Sequence, residues 1–181
     1  MVRRMFVVAM AAMMFCLMGC SKDKLTPEQI TALCSDAGQV SALAWVAKDT
    51  PTPDEVKAVK FVLDEISKGM AGYQGDGFAG MLPQINEAIK KAFPGTDERS
   101  LALQKMAILL ATRTLTNLDE LFAKHPEWDK KGDVAAGYVK AFTDGGSTAL
   151  NGFIKSKSAP AADSVKKEVP PPAVAPDVPK K

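Results

Sequence analysis

Two nearly identical helix starts, 26 residues apart, constrain the fold of this chain more than any other local pattern. Thr26-Pro27-Glu28-Gln29 and Thr52-Pro53-Asp54-Glu55 each offer a threonine as N-cap, a proline at the first helical position and a Gln or Glu that completes a capping box. Helices are therefore expected to begin at Thr26 and Thr52, and the first to end near Lys48. We attribute the repetition to the local requirements of helix N-termini; an internal duplication is the alternative.

Apolar residues follow both starts at spacings of three and four, which is typical of one face of a helix. In the first helix they are Ile30, Leu33, Cys34, Ala37, Val40, Leu43, Ala44 and Ala47, and in the second Val56, Val59, Val62, Leu63, Ile66 and Met70. Both faces are expected to contribute to the core. Cys34 is then expected to be a buried, inert thiol, with an intermolecular disulfide as the alternative.

Two more helices are predicted between residues 83 and 124. The third begins at Pro83 and stops at Pro94-Gly95, and its apolar residues are Ile85, Ala88, Ile89 and Phe93. The fourth runs from Thr96 to about Lys124. Its centre, residues 106–111, is apolar on every side, so this helix is expected to be the central, fully buried one.

A fifth helix is predicted from Gly132-Asp133, where the aspartate offers an N-cap. Gly145-Gly146 is expected to interrupt it, and Ser147 to cap a short further segment that carries Leu150, Phe153 and Ile154. No stretch of the chain alternates apolar and polar residues with a period of two. The predicted fold class is therefore all-α, a small bundle of about five helices.

A glycine-rich connection separates the second and third helices. Gly75, Gly77 and Gly80 match the pattern G-x-G-x-x-G, which binds phosphates when it follows a strand in a βαβ unit. Because a helix precedes it here, no nucleotide site is predicted. We expect a mobile connection in which Phe78, Met81 and Leu82 contact the core.

The first twenty residues have the organisation of a secretory signal. Arg3 and Arg4 precede an uncharged, mostly apolar run from Met5 to Met18, which is short for a membrane-spanning helix. The run ends in Leu17-Met18-Gly19-Cys20, which resembles the lipobox of bacterial lipoproteins. An ordinary signal or an uncleaved anchor with a chance cysteine is the alternative.

That resemblance implies a diacylglycerol on the thiol of Cys20, cleavage between Gly19 and Cys20, and acylation of the new amine, typically with palmitate. Two or three acyl chains hold a protein firmly to a bilayer, whereas one does not. Ser21 stands where some inner-membrane lipoproteins carry Asp, so the resemblance favours the outer membrane, facing the periplasm, over the inner membrane.

The predicted domains are then a signal peptide (1–19), a lipidated anchor and linker (20–25), a helical domain (26–156) and a disordered tail (157–181). The tail is rich in Pro, Ala and Lys and includes Pro170-Pro171-Pro172, which favours polyproline II. In the envelope it could extend toward peptidoglycan or a partner protein; a plain solvated terminus is the alternative.

Charge argues against a nucleic-acid partner. The chain carries 23 basic and 21 acidic residues, and removing residues 1–19 takes away Arg3 and Arg4 but no acidic residue, which leaves 21 of each. A neutral chain lacks the general attraction that nucleic acids require. The expected partners are the lipid bilayer through Cys20 and an envelope protein or peptidoglycan; the residues indicate no particular oligomeric state.

No catalytic, cofactor or metal-binding set is recognisable. The single histidine, His125, lacks the neighbours that zinc or haem sites require, and the paired acidic residues suit helix N-termini or i+4 pairs such as Asp64 with Lys68. We therefore expect a non-enzymatic binding module without a cofactor. The alternative is an enzyme or small-ligand carrier whose site forms only in the fold, as a pocket that converges on Arg113, Tyr138 or carboxylates.

Overall fold

The computed structural model describes residues 26–73, 77–124 and 132–158. It contains five α-helices, which are α1 (Pro27–Asp49), α2 (Pro53–Met70), α3 (Leu82–Ala92), α4 (Glu98–Lys124) and α5 (Gly132–Ser158), with a 3₁₀ turn at Phe78–Met81. Every regular element in these ranges is helical, which confirms the predicted all-α class. The predicted signal peptide, Cys20, Gly75, His125 and residues 159–181 of the predicted tail lie outside the described residues. The tail is predicted to begin at residue 157, but Lys157 and Ser158 belong to α5.

Local capping determines where α1 and α2 begin, as predicted. The hydroxyl oxygen of Thr26 accepts from the Gln29 N–H at 3.3 Å, and the Gln29 side chain accepts from the Thr26 N–H at 2.8 Å. Thr52 and Glu55 repeat this exchange at 3.3 and 2.7 Å. Each cap stabilises its helix by about 1 kcal/mol. Because these bonds join residues only three apart in sequence, the start of each helix is determined locally.

The central helix is α2 rather than α4. All six apolar residues predicted for its face are buried, and α2 contacts α3, α4 and α5. The prediction that α4 is fully buried is wrong, because Leu101 is 39% and Leu109 48% exposed. Helix α4 contacts α2, α3 and the 3₁₀ turn, and these neighbours cover one side of it, where Ala107, Ala111 and Leu115 are buried.

Two apolar clusters lie against α2. The larger joins it to α3, α4, α5 and the 3₁₀ turn, with Val62, Ile66, Met70, Phe78, Ile85, Ile89, Ala107, Ala111, Leu115, Leu118, Ala136 and Val139. The smaller joins it to α1 and α5, with Ala42, Trp45, Val56, Val59, Leu63 and Leu150. Phe78, Met81 and Leu82 contact the larger cluster, as predicted for the glycine-rich connection.

Helix α5 runs without a break through Gly145-Gly146, so the predicted interruption is wrong. The reason is a backbone contact with α1: a Cβ atom on Gly145 would lie 2.1 Å from the Ser35 carbonyl oxygen, and one on Gly38 would lie 2.0 Å from that of Phe142. A glycine inside a helix costs about 1 kcal/mol relative to alanine. Here it permits close packing of two helices rather than a turn.

The directions of the helices follow from paired contacts with α5. Gly38 packs near Gly146, and Ala42 shares a cluster with Leu150, so α1 runs parallel to α5. Ser67 bonds Asp144 while Ser147 bonds Asp64, so α2 runs antiparallel to α5. Helices α1 and α2 therefore form a hairpin that packs against α5.

Urea unfolding of two glycine-to-alanine variants of α5 tests the close contact between Gly145 and α1. Gly145→Ala is expected to destabilise the protein by about 1–3 kcal/mol, because the new methyl group must push α1 away from α5. Gly152→Ala in the same helix meets nothing within 4 Å, so it is expected to stabilise the protein by about 0.5–1 kcal/mol. Equal stability of the two variants would contradict the backbone contact.

Candidate functional site

The apolar face predicted for α1 is divided between two sides of the helix. Cys34 is buried with Gly38, Ser41, Ala42 and Trp45 against its neighbours. The larger aliphatic residues point the other way: Leu33 is 44%, Val40 65% and Leu43 52% exposed. The side facing α5 consists largely of small residues, because a close backbone approach leaves no room for leucine there. The prediction that the whole stripe is core is therefore wrong.

A regular apolar row runs along α1 beside its buried side, and exposed residues (Leu33, Val40, Ala47) alternate in it with half-buried ones (Ile30, Ala37, Ala44). Successive spacings of three and four residues align Ile30, Leu33, Ala37, Val40, Ala44 and Ala47, which we call the α1 row. Leu43 and the exposed Asp36 flank it. Single exposed aliphatic residues are common on protein surfaces, but a row along one helix is the pattern by which helices dock into a partner's groove or against another helix.

A groove of about 530 Å³ lies where the end of α2, the 3₁₀ turn and the start of α3 meet. Its walls are Glu65, Lys68, Gly69, Gly72, Tyr73, Gly77, Gly80, Met81, Gln84 and Ile85. Lys68 bonds Glu65 at 2.5 Å, and this bond and the carboxylate's charge raise the pKa of the lysine. Neither Arg113 nor Tyr138 lines the groove, so the two residues predicted to mark a pocket do not converge there.

The glycine-rich connection is held by a side chain of α4. Gly77 has a φ of 87°, which suits glycine, and the N–H groups of Phe78 and Ala79 both donate to the Asp119 carboxylate, the second at 2.8 Å. Phe78 is fully buried and stacks on Tyr73 with ring centres 4.4 Å apart. Two backbone amides of the described part of this connection are therefore bonded to a carboxylate, and they are not free to bind a phosphate.

A polar seam joins α2 to α5 through two matching sets of Lys, Asp and Ser at positions i, i+4 and i+7: Lys60, Asp64 and Ser67 on α2, and Lys140, Asp144 and Ser147 on α5. Each serine donates to the aspartate of the opposite helix. Lys60 bonds Asp64 at 2.6 Å and Lys140 bonds Asp144 at 2.5 Å. Asp64 therefore pairs with Lys60, and the predicted pair of Asp64 with Lys68 is wrong, because Lys68 pairs with Glu65.

This seam brings serine, lysine and carboxylate groups together without forming a nucleophile. Each hydroxyl donates to a carboxylate, which is a weak base for a serine proton, and each lysine bonds an aspartate rather than a serine. Its role is to fix the register of two antiparallel helices. No group of three or more possible metal ligands occurs among the residues that the structure describes.

Cys34 is 1% exposed, which confirms the predicted buried thiol. Burial raises its pKa to about 11, so the reactive thiolate is scarce at neutral pH. The phenol pKa of Tyr138 on α5 is also raised, by burial first and then by the charges of Cys34 and Glu28. A disulfide between the Cys34 thiols of two copies would require both thiols to leave the interface between α1 and α5.

The candidate site is therefore a surface, the α1 row, with the groove as a second feature. Sequence spacing identifies the row but predicts the wrong side of the helix for it. The glycine-rich connection contributes part of the groove wall, but its pattern does not predict a cavity. No described helix is long and apolar enough to cross a membrane. Searches against family models, curated proteins and solved structures find no match to this chain.

Proposed function

We propose that this chain is a lipoprotein of the bacterial envelope, held to the bilayer through acylated Cys20, whose helical domain binds another protein and catalyses no reaction. The anchor is supported by Leu17-Met18-Gly19-Cys20 at the end of an apolar run. The binding role is supported by one observation above all, the α1 row, whose members Leu33 and Val40 are 44% and 65% exposed.

The chemistry of the α1 row favours a protein partner over peptidoglycan. Leucine, valine and alanine offer no hydrogen bonds to sugars or to peptide amides, and they gain free energy only when apolar surface covers them. Covering the exposed parts of Leu33, Val40 and Leu43 is worth about 1 kcal/mol each, or about 3 kcal/mol in all. Micromolar binding needs about 8 kcal/mol, so a partner must also contact the polar residues around the row.

The linker to the anchor supports a site close to the membrane. Ser21 to Thr26 are six residues, which span at most about 20 Å when extended. The first turn of α1 then stays within that distance of the acylated cysteine. A partner in the same membrane is concentrated near the α1 row by its own attachment, which compensates for a modest intrinsic affinity. Ser21 favours the periplasmic face of the outer membrane over the inner membrane.

The groove supports a second candidate function, that of a small-ligand carrier. Its volume of about 530 Å³ is sufficient for a small molecule. It offers an ion pair, one glutamine, one tyrosine (Tyr73) and backbone groups, but the described residues around it contain no nucleophile next to a base. We rank this function second, because the groove lacks convergent reactive groups whereas the α1 row is apolar and exposed.

Replacing Cys20 tests the anchor. Cys20→Ala is expected to leave an uncleaved precursor without lipid, because alanine has no thiol to carry the diacylglycerol. Metabolic labelling with a tagged fatty acid and the intact mass of the protein measure both effects, with Cys34→Ala as the matched control that keeps its lipid. A Cys20→Ala protein that still incorporates the label and is cut before residue 20 would exclude this anchor.

Site-specific crosslinking in living cells tests the binding surface. A photo-reactive residue in place of Val40 is expected to give a discrete protein adduct, because this side chain lies in the α1 row. The same residue in place of Asn151, which is exposed on α5, is expected to give no such adduct. Equal adducts at both positions would contradict the α1 row as the binding surface. No adduct at Val40, together with a small molecule retained by the purified protein, would favour the carrier function instead.

A further inference from the structure

The hinge between α1 and α2 holds a residue in an unfavourable conformation. Three residues connect the helices, and the first, Thr50, has φ 43° and ψ 53°. Across the described ranges it is the one residue other than glycine with a positive φ. The left-handed region crowds the Cβ atom of any L-residue, and a β-branched side chain makes this worse.

Proline makes the conformation of Thr50 less favourable still. The hinge reads Thr50-Pro51-Thr52-Pro53, and a residue before proline prefers an extended conformation. Thr52 follows this preference, with φ −65° and ψ 155°, whereas Thr50 does not. The two threonines differ in role: Thr50 ends α1, where the chain reverses direction, whereas Thr52 caps the start of α2.

If Thr50 becomes extended, α1 swings away from its own α2 and α5 and leaves a shaped surface behind. That surface includes Gly145 and Gly146, on which the backbone of a helix can pack directly. It also includes Leu63 and Leu150, which lie in one apolar cluster with Ala42 and Trp45 of α1. The helix that matches it is α1 itself, with Gly38 opposite Phe142. When two molecules open in this way, α1 of one can pack on the surface that α1 of the other has left.

We propose that this chain forms a domain-swapped dimer, in which Thr50 is extended and α1 of each copy packs against α2 and α5 of the other. All contacts of α1 are regained in the dimer, and the backbone strain at both hinges is released. Pro51 and Pro53 prevent α1 and α2 from joining into one helix, so the open hinge is extended. The proposal depends on the α1–α5 packing and not on lipidation of Cys20.

Two substitutions at Thr50 are expected to shift the equilibrium between monomer and swapped dimer in opposite directions. Thr50→Gly accepts the left-handed conformation, so it is expected to lower the dimer association constant at least about tenfold. Thr50→Pro cannot adopt a positive φ and is expected to raise the dimer fraction. Light scattering coupled to size exclusion of the full chain in detergent measures both across a concentration series. An unchanged dimer fraction in Thr50→Gly overturns the proposal, even if Thr50→Pro fails to fold.

A disulfide between copies identifies which dimer forms. One tagged copy keeps Cys34, and a second carries Cys34→Ser and Tyr138→Cys, so the only engineered pair is between molecules. Mild oxidation of the isolated dimer is expected to join Cys34 of one copy to residue 138 of the other, as mapped by peptide mass. Asn151→Cys in place of Tyr138→Cys is the control and is expected to give no such link. A dimer without the link, or with equal links in the control, overturns the swap.

Discussion

The close approach of α1 and α5 determines most of the remaining structure. Carbonyl oxygens of Ser35 and Phe142 occupy the positions that Cβ atoms of residues 145 and 38 would need, so glycine is required at both. Since the backbones nearly touch, α1 contributes mainly small residues to this interface. Its larger aliphatic residues lie on the opposite side, and the exposed α1 row is therefore a consequence of how α1 packs.

The remaining helices are positioned by the contact between α2 and α5. The polar seam of Ser67 with Asp144 and Ser147 with Asp64 fixes the register of α2 against α5, and the apolar face of α2 then receives α3 and α4. Asp119 of α4 holds the 3₁₀ turn through two backbone amides. Helix α1 depends on α5 and on the smaller cluster, so it is the element that can leave without dismantling the rest.

Features that depend on neighbouring residues in the chain were predictable, and those that depend on distant ones were not. The capping boxes of Thr26 and Thr52 are local, and the buried face of α2 follows from its spacing alone. The role of Gly145-Gly146 was misread because a glycine pair that ends a helix and one that allows close packing look alike in sequence. The exposure of Leu109 and of the α1 row depends on which neighbours each helix finds, and the groove forms only where three elements meet.

The central claim is that α5 is one continuous helix whose glycines are covered by α1, and amide hydrogen exchange of the full chain tests it directly. The N–H groups of Gly145 and Gly146 should exchange about as slowly as that of Ile66 in the core of α2, because they are hydrogen-bonded within a helix and shielded by α1. Rapid exchange confined to these two glycines, with slow exchange on either side, would mean that the helix is broken there and would contradict the account.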